Sequence, residues 1–245
     1  MLAVIGGSGL TELANLTITR REVVRTPYGE PSGALTFGEL CGRPVAFLAR
    51  HGYGHTIAPH RVNYAANLWA LRHAGASSIV AVASVGGIRA DLDPGVLLVP
   101  DQIIDYTWGR KSTFFESADE AVHHIDFTEP FDATVRGRLL SAASDAGVDV
   151  VDGGVYATTQ GPRLETSAEI ARIERDGGDV VGMTAMPEAA LARELDIPYA
   201  AINVVANHAA GKGSSEKAIS FERIEASLQE SMVRVRLVLG QLCKQ

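Results

Sequence analysis

Six short apolar runs constrain the fold of this chain more than any other feature of its sequence. They are rich in Val, Ile and Ala, and they occupy residues 3–5, 44–48, 78–83, 96–99, 179–181 and 199–205. Their lack of strict alternation is typical of strands buried on both faces. Helix-like segments lie between or after them, at residues 61–73, 132–146, 167–175, 187–195 and 221–242. This order predicts an α/β fold with a mixed, mostly parallel twisted sheet flanked by helices.

Length and composition favour a single globular domain. The 245 residues are 46% hydrophobic and 21% charged, and no change of composition marks a linker, so residues 1–245 are expected to form one domain. Cys41 and Cys243 are too few for a disulfide framework, which favours a reducing, cytoplasmic location. The net charge of -7 argues against nucleic acid as a partner. No run reaches the roughly 18 apolar residues of a membrane helix, so no membrane partner is expected.

Polar and glycine residues follow several of the predicted strands. Ser8 lies in a glycine turn after the first strand, Arg50 and His51 follow the second, and Ser84, Thr184 and Asn207 follow later ones. Because the carboxyl ends of parallel strands lie at one edge of a sheet, these residues predict a single ligand pocket. An arginine fork, a hydroxyl and glycine N–H groups are suited to an oxyanion such as phosphate.

Two nucleotide-binding motifs are present only in part. Gly7 and Gly9 match the start of a dinucleotide fingerprint, but Glu12 stands where the third glycine is required. Residues 211–214 resemble the end of a P-loop, but Ala206 replaces its first glycine and Gly213 replaces the Ser or Thr after the lysine. Neither dinucleotide binding nor ATP hydrolysis is supported by these patterns.

Three histidines close together raise the question of a metal site. His51, His55 and His60 are not spaced as ligands on one helix, and Gly52 and Gly54 disfavour a helix there. We therefore expect no metal site.

Six motifs, in this order, resemble those of the trimeric purine nucleoside phosphorylase and methylthioadenosine phosphorylase family. They are residues 6–10 (GGSGL), 49–52 (ARHG), 59–64 (PHRVNY), 161–163 (GPR), 183–188 (MTAMPE) and 206–207 (AN). The resemblance spans nearly the whole chain and implies the nucleoside phosphorylase fold. It also implies that inorganic phosphate, a co-substrate, attacks C1′ of a purine nucleoside and releases the base and ribose 1-phosphate. No metal or organic cofactor is implied, and the expected assembly is a homotrimer or two stacked trimers.

The resemblance also assigns roles to individual residues. It places phosphate against Ser8, Arg50, His51, Thr184 and the backbone of Ser84, and it places the sugar against Met183. His51 and Asn207 are the expected catalytic residues. The expected substrate contacts further include Val85, Gly86, Leu164, Glu165, His208, Ala209, Phe221 and His124. Phosphate is already an anion, so the site needs to place the nucleophile more than to activate it.

Two positions indicate a 6-oxopurine base. Relatives that act on adenine-type bases carry Asp at the position of Asn207 and again two residues later, whereas this chain has Asn207 and Ala209. Glu165 stands where 6-oxopurine-specific relatives have Glu and the adenine-type relatives have Ser. An ionised carboxylate can accept the N1 proton of a 6-oxopurine, but it meets only a lone pair on adenine N1. Such a mismatch can discriminate by roughly 10⁴-fold.

The residues expected near the 5′ end of the sugar favour a thioether. The family has a His there in enzymes for ordinary nucleosides and an apolar residue in the methylthio-specific ones, and Phe221 aligns with this position. His124 matches a residue that reaches the 5′ site of a neighbouring subunit, although a surface role beside His123 is the alternative. Together with the 6-oxopurine base, this predicts 5′-methylthioinosine as the substrate.

Several alternatives remain open from the sequence. Within the same enzyme class, the substrate is inosine, guanosine or methylthioadenosine instead. A nucleoside-binding protein without turnover is disfavoured because the whole phosphate set is present, and a hydrolytic nucleosidase is disfavoured because no cluster for activating water is evident. The aperiodic stretch at residues 107–122 is either a lid over the pocket or a surface loop.

Overall fold

The computed structural model describes residues 1–116 and 122–245, and in them eleven strands form one sheet. The strands are β1 (Leu2–Gly6), β2 (Thr17–Glu22), β3 (Leu35–Leu40), β4 (Arg43–Ala49), β5 (Ser78–Gly87), β6 (Leu97–Val99), β7 (Gln102–Asp105), β8 (Val151–Asp152), β9 (Val155–Thr158), β10 (Val180–Gly182) and β11 (Tyr199–His208). The helices are α1 (Tyr64–His73), α2 (Ala133–Asp145), α3 (Ser167–Arg175), α4 (Ala185–Glu194) and α5 (Phe221–Leu242).

The sheet is mixed and mostly parallel, as the sequence predicts. Its order is β2-β3-β4-β1-β5-β10-β9-β7, while β11 pairs with β5 and β6, and β6 pairs with β8. Among the described residues, six of these pairings are parallel and four are antiparallel. The central strands β4, β1, β5 and β11 run parallel to one another, so their carboxyl ends lie together at one edge of the sheet.

Helices cover both faces of this central sheet. On one face, α2 and α5 pack against β11 and against each other, and on the other face α1 packs against α4. The apolar stripe predicted for the last helix is confirmed, because Leu228, Met232, Val235 and Leu239 are buried and Ile224 packs against the same core. The central strands are therefore apolar on both faces, which explains why their sequences do not alternate.

Five strands, β2, β3, β7, β8 and β9, were not predicted from the sequence. Strand β3 is mostly buried, but Thr36, Gly38 and Glu39 interrupt its apolar residues. Every residue of β2 is exposed, because this strand forms the edge of the sheet and pairs only with β3. The strands β7, β8 and β9 have four residues or fewer and mix polar with apolar side chains. None of these patterns provides the continuous apolar run on which the prediction was based.

The helices begin and end close to the predicted residues. The exception is α1, which starts three residues later than expected because Pro59–Arg61 form a separate 3₁₀ turn. The Asn63 side chain accepts a hydrogen bond from the Ala66 N–H and so caps the first turn of α1. A capping box between Thr166 and Glu169 starts α3 at the predicted position.

A bulge in β11 is the feature of the fold that most directly shapes the pocket. Val205 pairs with Val85, but Asn207 pairs with Gly86, so Ala206 is an extra residue in the strand. A bulge of this kind bends a strand and redirects the side chains that follow it. It places Asn207 at the carboxyl end of the sheet, where the cavity described below opens.

Candidate active site

A cavity of about 540 Å³ lies at the carboxyl ends of the central strands. Most of the side chains predicted from the sequence line it, namely Ser8, Arg50, His51, Ser84, Val85, Gly86, Leu164, Glu165, Met183, Thr184, Asn207, Ala209 and Phe221. His208 and His124 are not among its lining residues. Positions almost the whole chain apart in sequence thus form one site.

Arg50 is the most deeply buried charge in the cavity wall, with 1% of its surface exposed. Its Nε and Nη2 atoms donate to the two carboxylate oxygens of Glu188 at 2.7 and 2.8 Å, and Nη1 donates to the Val82 carbonyl at 3.1 Å. Burial lowers the pKa of Arg50, but Glu188 raises it more strongly, so the guanidinium stays charged. Three of its five N–H groups are occupied, which leaves two for an anion in the cavity.

Glu188 and Tyr199 complete this arrangement, and the sequence reading did not assign either of them a role. Glu188 is fully buried, and the Tyr199 hydroxyl donates to its Oε1 atom at 2.8 Å. The Tyr199 hydroxyl thus adds a hydrogen bond on the carboxylate side of the buried ion pair, while two N–H groups of Arg50 remain without a protein partner in the described part of the chain. The available signal was a lone carboxylate among the alanines at the start of α4.

His51 is a neutral imidazole with a defined tautomer. Its Nδ1 atom lies 2.8 Å from the Ile57 carbonyl, which can only accept, so Nδ1 carries the proton and Nε2 has a lone pair. Burial, together with the charge of Arg50, lowers the pKa of His51 to about 4. In the neighbouring loop, His55 lies 3.4 Å from the Ser8 hydroxyl, whereas His60 is exposed. Residues 1–116 and 122–245 hold no group of three side chains placed to bind a metal ion.

The lowered pKa of His51 predicts a loss of stability in acid. The group titrates at 6.5 when unfolded and at about 4 when folded, so the native state resists its protonation. Stability is then lost as the pH falls from about 6.5 towards 4, by about 3 kcal/mol in total. The difference in unfolding free energy between the wild type and His51→Asn, measured by urea titration across this range, isolates the effect. A difference that does not change with pH would contradict it.

Backbone groups complete the corner of the cavity around Arg50. Gly7 has no room for a side chain, because a Cβ atom there would lie 2.6 Å from the Val82 carbonyl oxygen and 2.8 Å from Nη1 of Arg50. Thr184 is the N-cap of α4, yet its side chain makes no capping hydrogen bond. The Thr184 hydroxyl is therefore available in the cavity that Arg50 also lines, while Met186 has non-helical backbone angles and interrupts the first turn of α4.

Glu165 lies on the wall formed by the segment before α3. The hydroxyl of Thr159 donates to its Oε1 atom at 2.6 Å. Burial raises the pKa of Glu165, and the hydrogen bond from Thr159 opposes that rise. The sequence reading identified Glu165 but not Thr159, which is an ordinary residue at the end of a short strand.

Asn207 has a defined amide orientation. Its Nδ2 atom donates to the His208 carbonyl at 2.6 Å, and since a carbonyl only accepts, Oδ1 cannot take that place. One Nδ2–H and the acceptor Oδ1 remain for a ligand. The side chain therefore offers a donor and an acceptor next to each other.

His208 does not contact the cavity, in contrast to its expected role in substrate binding. Its Nε2 atom lies 2.9 Å from a carboxylate oxygen of Asp93, and Nδ1 lies 3.0 Å from the Ser214 hydroxyl. These two contacts hold the imidazole outside the cavity. What His208 offers the site is its backbone carbonyl, which orients Asn207.

The start of α5 forms an apolar end of the cavity. Phe221, Ile224 and Leu228 line it there, and Phe221 is 69% exposed. This end is therefore open in a single chain. His124 is also exposed and lies outside the cavity lining, so it contributes nothing to the site of its own chain.

Arg110 connects the aperiodic stretch to the cavity. Its guanidinium donates to the carbonyls of Thr159, Gln160, Met183 and Met186 at 2.6–3.2 Å. Arg110 therefore links the segment at residues 159–160 to the segment at residues 183–186 beside the cavity. Residues 117–121 of the predicted loop lie outside the described residues.

Comparisons with known proteins agree with this geometry. A family model described as the phosphorylase superfamily matches residues 1–243, and the chain belongs to that family. A protein of Pseudomonas syringae pv. tomato named probable S-methyl-5′-thioinosine phosphorylase is 51% identical over 240 residues, with 98% of this chain and 97% of the relative covered. The 6-oxopurine nucleoside phosphorylase of Pyrococcus furiosus is 43% identical over 246 residues and covers 98% of this chain and 91% of its own.

Solved structures show the same fold. Methylthioadenosine phosphorylase from Schistosoma mansoni in complex with adenine matches with a TM-score of 0.95 at 33% identity, and the match covers 99% of this chain and 90% of that one. The family and the fold implied by the sequence motifs are thus confirmed.

Proposed function

We propose that this protein catalyses the phosphorolysis of S-methyl-5′-thioinosine to hypoxanthine and 5-methylthioribose 1-phosphate, a reaction of purine salvage. The observation that carries the proposal is the presence, in one cavity, of a charged anion corner at Arg50, a carboxylate at Glu165 and an apolar end at α5. These three parts match the three parts of the substrate pair: phosphate, a 6-oxopurine and a thioether. Relatives named probable S-methyl-5′-thioinosine phosphorylase support the assignment.

Phosphate is held by the corner built around Arg50. The two free N–H groups of Arg50, the hydroxyls of Ser8 and Thr184 and the backbone at Ser84 donate to its oxygens. Neutral His51 presents a lone pair on Nε2, so it accepts a hydrogen bond from the protonated oxygen of phosphate. Phosphate then lies next to C1′, where its negative charge stabilises the oxocarbenium-like transition state.

The base leaves from the opposite side of the sugar, which packs on Met183. Negative charge develops on the purine as the electron pair of the C1′–N9 bond passes to the base, and N7 takes up a proton from the solvent that reaches the open cavity. The Asn207 Oδ1 atom accepts a hydrogen bond from this N7–H, and its free Nδ2–H donates to O6. Glu165 accepts the N1 proton of a 6-oxopurine, while Val85, Gly86, Leu164 and Ala209 enclose the ring. Catalysis thus rests on placing two reactants and stabilising the leaving base.

Initial rates on three nucleosides test this proposal. Methylthioinosine, inosine and methylthioadenosine are compared with and without phosphate by following the release of free base. Phosphate-dependent release that is fastest from methylthioinosine is the expected result. Faster release of adenine would contradict the assignment of the base, and release without phosphate would contradict phosphorolysis.

Ordinary 6-oxopurine nucleosides are the second candidate substrates. The observation that favours them is the exposure of Phe221, which leaves the 5′ end open to solvent and to a hydroxyl in a single chain. The relatives from Pyrococcus furiosus and Thermococcus kodakarensis carry 6-oxopurine nucleoside phosphorylase names. Inosine used faster than methylthioinosine would establish this alternative.

Phe221→His should shift the preference towards inosine. A histidine there supplies a hydrogen-bond partner for the 5′-hydroxyl and removes apolar surface from the thioether, so the ratio of kcat/KM for inosine to that for methylthioinosine should rise about tenfold. The measurement is steady-state kinetics on both nucleosides at saturating phosphate. Val233→His, an exposed apolar position farther along α5, serves as the matched control. Equal ratios in Phe221→His and the wild type would remove Phe221 from the specificity argument.

Residues 1–245 form one phosphorylase domain in this proposal, which works in the cytoplasm without metal or organic cofactor. The functional unit is a homotrimer, supported by the open 5′ end of the cavity and by the exposure of Trp108, Phe115 and His124 outside it. Sedimentation equilibrium of the full chain tests the trimer. Within residues 1–116 and 122–245, no helix has the length and apolar character needed to cross a membrane.

A further inference from the structure

Among the described residues, Thr159 makes the one side-chain hydrogen bond to Glu165, from the side of a second, smaller cavity that both residues line. Its hydroxyl donates to Oε1 at 2.6 Å, within the range of a strong hydrogen bond to a carboxylate. Because Oε1 is occupied in this way, Oε2 is the carboxylate oxygen that has no side-chain hydrogen bond among the described residues. Glu165 lines the main cavity, so this free oxygen is the one available to a purine bound there.

The position of Thr159 is itself well anchored. Its N–H donates to the Gly182 carbonyl at 2.8 Å, and its own carbonyl accepts from Arg110 at 3.2 Å. Among the described residues, its hydroxyl has one other acceptor, the Gly182 carbonyl at 3.4 Å, which is a much longer contact. The hydroxyl therefore stays with Glu165, whichever protonation state the carboxyl group has.

These contacts carry a consequence for the base, resting on the proposed function. We infer that Thr159 is a specificity-determining positioning residue: it directs Oε2 of Glu165 at purine N1, so that the protonation state of Glu165 selects the base. The ionised group accepts the N1 proton of a 6-oxopurine. The protonated group carries its proton on Oε2, because Oε1 accepts from Thr159, and it donates to the lone pair on N1 of a 6-aminopurine.

Asn207 discriminates less strictly than Glu165, because its amide offers both a donor and an acceptor to the base edge. Glu165 therefore discriminates more strictly, because its free carboxyl oxygen accepts a hydrogen bond when ionised and donates one when protonated. Burial raises the pKa of Glu165 and the Thr159 hydrogen bond lowers it, so the hydroxyl also favours the ionised, 6-oxopurine-selective form.

Arg110 is the one charged group near the Glu165 carboxyl group without an ionic partner among the described residues, and its guanidinium is bound to backbone carbonyls instead. The remaining charged groups near this carboxyl group form ion pairs or hydrogen bonds with one another. Arg163 donates to both carboxylate oxygens of Glu169 at 2.7 and 2.8 Å. Across a second, smaller cavity that shares the same carboxyl group, Tyr106 donates to Asp176 at 2.6 Å, and Arg172 lies 3.6 Å from Asp176. The field of these pairs is small compared with the direct hydrogen bond from Thr159.

The test compares the ratio of kcat/KM for methylthioinosine to that for methylthioadenosine in the wild type and Thr159→Val, from about pH 8 to about pH 5. In the wild type this ratio should fall as the pH is lowered and Glu165 becomes protonated. In Thr159→Val, which keeps the shape but loses the hydroxyl, the ratio at neutral pH should fall about tenfold. The midpoint of its pH dependence should also move to higher pH.

Three variants serve as controls. Thr159→Ser restores the hydroxyl and should restore both the ratio and its midpoint, which a merely structural role would not require. Glu165→Gln should have a low ratio that does not change with pH. Thr19→Val removes a hydroxyl that bonds to the Phe37 carbonyl on the edge strand, and it should match the wild type.

The dissociation constants of hypoxanthine and adenine with phosphate present, measured by calorimetry on the same variants, repeat the test without turnover. If the wild type turned over no nucleoside, the proposed function would be wrong. The dissociation constants of the two bases would still test the role of Thr159. Identical base preferences in Thr159→Val and the wild type at every pH would overturn the inference, as would equal losses for both bases.

Discussion

Replacing Arg50 with Met is expected to lower kcat/KM for phosphate by about 10³-fold, because the variant loses the only buried cation that lines the described cavity. It should also destabilise the fold by about 3–5 kcal/mol, since Glu188 is left buried and without its ionic partner. The two effects are measured by initial rates at varied phosphate and by urea unfolding.

A double variant separates the two effects. Adding Glu188→Gln to Arg50→Met removes the unpaired buried charge while keeping an acceptor for the Tyr199 hydroxyl, so most of the stability should return. Activity should not return, because no group in the corner replaces the guanidinium. A double variant with wild-type dependence on phosphate would show that Arg50 has only a structural role.

Removing the amide of Asn207 is expected to have the next largest effect. Asn207→Ala takes away both the acceptor for protonated N7 and the donor for O6, so kcat for methylthioinosine should fall by about 10²–10³-fold. The KM for phosphate should stay within about twofold, because the amide belongs to the base wall and not to the Arg50 corner. Steady-state kinetics with each substrate varied in turn provides both values.

Two further variants make this result specific. Asn207→Asp keeps an acceptor for the base. It also places a carboxylate oxygen against the His208 carbonyl, to which Nδ2 of the wild-type residue donates at 2.6 Å. The kcat of this variant should therefore lie between those of the wild type and the alanine variant. Asn63→Ala removes a helix cap outside the cavity and should cost about 1 kcal/mol of stability with kcat unchanged. If Asn207→Ala keeps the wild-type kcat, the base leaves without help from this residue.

That Ser8, Arg50, His51 and Thr184 line one cavity was predictable from their positions in the sequence. Ser8, Arg50 and His51 follow continuous apolar runs, and Thr184 follows another, so the buried parallel strands bring them to one edge. The α/β class and the final amphipathic helix were predictable for the same reason, since long apolar patterns report burial directly. The expected roles of residues that face the base, such as Glu165 and Asn207, came from the resemblance to the phosphorylase family instead.

The contacts of the His208 side chain could not be predicted in this way. The residue follows Asn207 directly and was expected to contact the substrate, but alternate residues of a strand point to opposite sides. The imidazole contacts Asp93, which is 115 residues away in sequence, and it does not line the cavity. No local sequence pattern predicts this contact between His208 and Asp93.

The sequence by itself determined which segments are buried and which polar residues lie at the ends of the strands, because hydrophobic pattern and strand direction are local properties. Only the tertiary structure decided how those residues are held. Glu188 pairs with Arg50 across 138 positions, and Arg110 braces walls some 50 to 76 positions away. The strength of a hydrogen bond depends on the donor–acceptor distance to within a few tenths of an ångström and on the angle at the hydrogen atom. For residues so far apart in sequence, this geometry is set only when the chain has folded.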